Sequence, residues 1–67
     1  MEMQIELMNL IKESGYQTLP TRDPNWVFQS LLKMARVDGL EPTLENLLSL
    51  AGNLEVDLSQ EFRATSD

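Results

Sequence analysis

The chain has 67 residues, with 5 Lys plus Arg against 11 Asp plus Glu, a net charge of -6, and neither Cys nor His. That length suits one small domain, and the missing residues exclude disulfides, the usual zinc sites and any Ser-His-Asp machinery. The acidic balance argues against a polybasic membrane anchor and against simple electrostatic attraction to nucleic acid, while 42% hydrophobic residues are more than a disordered chain carries.

In chain order, Met3 to Ser14 reads as a helix, because Met3, Leu7, Leu10 and Ile11 fall at helical spacing with Met8 at the edge of their stripe. Gly15 provides a left-handed stop, after which Tyr16 can fold back on Ile11. Gln17 to Asp23 reads as a loop with Leu19 tucked inward. Asp23-Pro24 opens a second helix, the Asp as cap and the Pro at the first helical position, where its missing N–H costs nothing. Val27, Phe28, Leu31, Leu32 and Ala35 form its apolar face, and Gly39 ends it.

Pro42-Thr43 begins a third helix, with Thr43 as cap and Leu44, Leu47, Leu48, Ala51 and Leu54 as the buried stripe. Val56 and Leu58 are expected in a short connector, followed by a last turn, capped by Asp57 or Ser59, that returns Phe62 to the core. Residues 63–67 form a polar tail. No useful stretch alternates with period two, so the expectation is an all-α domain over residues 1–62, built of four short helices around Leu47, Leu48, Leu32 and Ile11. No apolar run approaches the roughly 18 residues of a transmembrane helix, and the acidic start lacks a signal peptide's basic region. A cytoplasmic domain without membrane contact is expected.

The carboxylates read as solvated or capping groups. Glu41 with Glu45, and Glu55 with Asp57, lack the spacing of a calcium loop, and acids near helix starts are expected on dipole grounds. Gly15, Gly39 and Gly52 are isolated, each placed at or near a helix end, so no phosphate-cradling loop is present. A chain this short seldom encloses a pocket holding a base and a nucleophile. Neither enzymatic activity nor a metal nor a cofactor is expected.

The stretch from Pro42-Thr43-Leu44 through Leu50-Ala51 and Leu54-Glu55-Val56 to Phe62 resembles the closing half of the Cro/cI-like (XRE, lambda-repressor-like) helix-turn-helix family. Val27-Phe28-Gln29-Ser30-Leu31-Leu32-Lys33-Met34-Ala35 is similar to the recognition helix of Cro-type phage repressors, and Leu10 to Thr18 to the end of that family's first helix and its glycine turn. The resemblance covers nearly the whole chain, most specifically its second half. It departs at Leu19 to Pro24, where two prolines interrupt the family's second helix.

The resemblance implies a compact four- to five-helix domain that offers the helix 24–37 to the major groove of double-stranded DNA. Gln29, Ser30 and Lys33 would read bases, with Arg36 and Arg22 on phosphates. The function implied is a small transcriptional regulator, a homodimer on a pseudo-palindromic site. A second reading starts from Trp26, Leu31 and Met34, apolar residues where a DNA reader presents small or polar ones; these suit a protein partner. The chain would then be an acidic interaction module, an inhibitor, an antitoxin-like partner or a self-associating subunit. Charge is segregated either way: residues 1–40 carry 4 basic and 5 acidic side chains, residues 41–67 carry 1 and 6.

Overall fold

The computed structural model of the chain describes residues 2–66, with side chains through residue 60. Helix α1 spans Met3–Glu13, α2 spans Pro24–Val37 and α3 spans Leu44–Ser66; a 3-10 turn at Leu19–Thr21 lies between the first two. The described residues contain no strand. Helix α3 packs against α1, α2 and the 3-10 turn, and α1 also touches α2. At 1.5 Å per residue its 23 residues run about 34 Å, close to the molecule's 40 Å long dimension.

Helix limits follow from local chemistry. Asp23 caps α2 by accepting the Trp26 N–H at 3.0 Å, and Pro24 takes the first helical position. The hydroxyl of Thr43 accepts the Asn46 N–H at 3.1 Å and opens α3, while the Asn46 side-chain amide donates back to the Glu41 carbonyl at 2.9 Å. Gly15 and Gly39 both have positive φ, 86° and 71°, which side-chain-bearing residues rarely adopt. At Gly39 the α2 terminus is a Schellman motif: Gly39 N–H donates to Arg36 O and Leu40 N–H to Ala35 O, at 3.2 and 2.8 Å. That pairing folds Leu40 back toward α2.

The core is entirely apolar. It comprises Leu7, Met8 and Ile11 of α1, Leu19 of the turn, Val27, Leu31 and Ala35 of α2, and Leu47, Leu50, Ala51, Leu54 and Leu58 of α3, with no buried polar side chain among the described residues. Tyr16, Phe28, Leu32, Met34, Leu44 and Leu48 pack around it, half-buried.

Several expectations are corrected. The described residues form three α-helices rather than four or five, because α3 runs unbroken through Val56, Asp57 and Leu58. Leu58 is buried from within that helix, at i+11 from Leu47 and i+4 from Leu54. Extending the stripe to Leu58 rotates its centre, so Leu50 is buried and Leu48 is only half-buried. In α2 the inward line is Val27, Leu31 and Ala35 at four-residue spacing, which leaves Leu32 half-buried on its flank. Residues 63–66 belong to α3 instead of a tail separate from it. Gly52 lies inside α3 and not at a helix end. The expected return of Phe62 to the core concerns a side chain outside the described residues.

Two neighbours in sequence test this packing. Leu47→Ala, at a fully buried position, is expected to cost about 2–5 kcal/mol of unfolding free energy, a large share of a small domain's stability. Leu48→Ala, half-buried, should cost clearly less. Urea denaturation followed by circular dichroism measures both, and equal losses would contradict the assigned rotation of α3.

Candidate functional site

The outward face of α2 is set by how the ten residues before it are held. Between α1 and α2 the chain has few apolar anchors, and only Leu19 is fully buried there. The backbone amides around it would be unpaired at the start of a helical turn. The Glu55 carboxylate of α3 takes them: Thr18 N–H donates to its two oxygens at 3.0 and 3.1 Å, and Leu19 N–H donates at 2.9 Å. Thr21 closes the turn from the other end, its hydroxyl donating to Thr18 O. One helical turn of α3 earlier, the Tyr16 hydroxyl lies over Gly52, where an added Cβ would come within 3.3 Å of it. Gly52 therefore gives Tyr16 room against α3, and Tyr16 packs half-buried on the core.

Partial burial pushes the Glu55 carboxyl up, but the amides of Leu19 and Thr18, with the Thr18 hydroxyl and the Gln17 amide, outweigh it and hold the pKa below the ordinary glutamate value. Sequence reasoning placed Glu55 beside a connector. Its role was hidden because its partners lie 36 and 37 residues away and are backbone groups, which no residue pattern marks.

With Leu19 pinned and Asp23 capping, α2 turns Val27, Leu31 and Ala35 inward and the opposite side to solvent. Trp26, Ser30, Lys33 and Val37 fall at i, i+4, i+7 and i+11, one stripe about 130° around the helix from the inward midline at Leu31. Trp26 is 44% exposed and Val37 77%, and Lys33 is also exposed while Ser30 is half-buried. Gln29 and Arg36 are exposed along one edge of this stripe. Arg22, exposed, sits just before the cap. The face therefore brings Gln29, Ser30, Lys33 and Arg36 together with Trp26. It does not include Leu31, which is fully buried. The expected apolar strip is corrected on this point: Leu31 is four residues from both Val27 and Ala35, on the midline of the inward face. Met34 is half-buried at the margin, and Val37 is the exposed apolar residue that sequence reasoning missed.

Two shallow depressions flank the C-terminal half of α2. One is lined by Lys33, Met34, Val37 and Asp38, the other by Leu32, Ala35, Arg36, Leu40 and Pro42. Each sets a cation beside apolar side chains. Helix α2 itself carries Lys33 and Arg36 and no carboxylate. Its N-terminal amides already face the Asp23 carboxylate, which opposes a second anion there.

Among the described residues no group of three His, Cys, Asp or Glu is placed to hold a metal ion, and no helix is long and apolar enough to cross a membrane. Compared with protein-family models, curated proteins and solved structures, the chain matches none.

Glu55→Gln tests the tie that positions α2. At neutral pH it is expected to lower stability by about 1–2 kcal/mol, the range for losing a charged cap on backbone amides. A lowered folded-state pKa means the carboxylate's contribution is complete above the ordinary glutamate value and is lost as pH falls through the folded-state value. Denaturation curves of the two proteins should therefore converge as the solution is acidified through that range. A stability difference independent of pH would show that the charge of Glu55 is not what holds the turn.

Proposed function

We propose that this chain is a protein-interaction module that docks through the solvent face of α2. The observation that carries the reading is the exposed Trp26, on the outward stripe with Val37, beside Lys33 and Arg36. Trp, Tyr and Arg are enriched among the few side chains that carry most of the binding energy of a desolvated contact. Exposure of Trp26 and Val37 serves no core in the chain itself. The face fits a partner that presents carboxylates next to apolar side chains, such as an acidic amphipathic helix.

The second reading is the Cro-type DNA regulator acting as a homodimer. It is favoured by Gln29, Lys33 and Arg36 being exposed along one edge of α2, with Arg22 ahead of them. Against it stand a three-residue turn where the motif's first helix would be and the Asp23 carboxylate at the N-terminus of α2, the end that a recognition helix presents to DNA.

A photo-cross-linking residue at the exposed Asn25, in cells expressing the full chain, separates the two. Docking on protein should give protein adducts whose yield falls about tenfold or more with Trp26→Ala, a loss of the size expected for an aromatic anchor. Nucleic-acid adducts indifferent to Trp26→Ala would overturn the proposal. In that case Gln29→Ala should cost about 1–3 kcal/mol on a specific duplex. Thermal melts of the variants confirm that each is folded.

A further inference from the structure

We infer that the α2 face takes a second copy of this chain, docking on the exposed face of that copy's α3. The inference rests on reading α2 as a docking face, and it names the partner. Charge complementarity within the sequence carries it. Helix α2 presents Lys33 and Arg36 without a carboxylate, whereas the solvent side of α3 presents Glu45 and Asp57. Glu45, Ser49, Asn53, Val56 and Gln60 are all exposed and lie within about one-quarter of the α3 circumference, with Asp57 at its edge. Glu55, the neighbouring acid, is turned away and occupied by Thr18 and Leu19.

Each face also has an apolar centre. Val56 is 52% exposed on α3, and Trp26 and Val37 are exposed on α2. The two faces match in length: Trp26 to Val37 and Glu45 to Val56 each span twelve residues, eleven steps of about 1.5 Å or about 16 Å of helix. A strip with two cations and an aromatic on one copy thus meets a strip on another that carries Glu45, an exposed valine and Asp57 at its edge, with no cation. Because the two faces differ, the contact is heterologous. A single-helix face buries less than about 1,200 Å² in total, so the association is weak and appears at high protein concentration.

Charge-swapped variants of the whole chain test this at about 0.15 M salt. There the Debye length of about 8 Å screens the copies' overall like charge but not charges in contact. One variant is Lys33→Glu with Arg36→Glu; the other is Ser49→Lys with Asp57→Lys, and all four positions are exposed. Sedimentation equilibrium gives the mass, and the emission of Trp26, the only tryptophan, reports whether its side chain leaves water.

The wild type should rise above its 7.6 kDa monomer mass as concentration increases, with Trp26 emission moving to shorter wavelength in step. Each variant alone should associate at least about tenfold more weakly. Their equimolar mixture should regain association, since an acidic α2 then meets a basic α3. The inference is overturned by a wild type that stays monomeric at millimolar concentration, by a mass increase without the Trp26 shift, or by a mixture that does not associate. If the Asn25 cross-link then joins the chain to a different protein, the α2 docking reading stands without the self-association. If Trp26→Ala leaves every adduct intact, the docking reading itself falls.

Discussion

Three amide-to-carboxylate contacts from Thr18 and Leu19 to Glu55 tie the linker between α1 and α2 onto α3. Without that acceptor, two N–H groups beside a buried leucine would be left to water at a part-buried site, and the carboxylate replaces that water with a charged, fixed partner. With it, Leu19 is a fixed peg, Asp23 caps α2 four residues later, and the rotation of α2 follows. The stripe of Trp26, Ser30, Lys33 and Val37 lies about 130° around the helix from the inward line of Val27, Leu31 and Ala35, so fixing one fixes the other. The outward face of α2 thus begins from a polar contact between α3 and the linker just before α2.

Much of this was legible in the sequence where chemistry is local. The Asp23-Pro24 start, the Thr43 cap and the glycine stops at positions 15 and 39 each depend on residues within one turn of each other, and Leu19 stood out as the apolar residue of a polar loop. The exposure of Gln29, Lys33 and Arg36 follows from a clean amphipathic period. What was not legible depends on length and on distant partners. Val56-Asp57-Leu58 contains two residues of modest helix propensity, which suggested a connector, yet burial of Leu58 carries α3 through it. That extension shifted the centre of the α3 stripe and moved Leu48 to its flank. Leu31 looked available for docking because a sequence lists apolar residues without saying which side of a wide apolar arc faces the core.

The charge distribution has a structural logic. The acidic residues near the start of α3, Glu41 and Glu45, lie where helix amides attract negative charge, and Glu55 is consumed by the linker. The cations Lys33 and Arg36 lie in the last half of α2, where the helix dipole favours them. Helix-dipole and capping preferences thus account for the α2 cations and for the acids at the start of α3. The same preferences leave a basic strip beside an exposed tryptophan, and such a strip has no partner within the core.

Amide hydrogen exchange at Thr18 and Leu19 bears most directly on the claim that Glu55 holds the linker and thereby α2. If the carboxylate binds these amides, both should exchange far more slowly than the neighbouring loop amides at neutral pH, at rates approaching those of global opening. Replacing Glu55 by Gln should speed their exchange strongly, while amides in the middle of α2 and α3 speed up only in proportion to the loss of overall stability. Rapid exchange of Thr18 and Leu19 in the wild type, at the rate of exposed loop amides, would contradict the account.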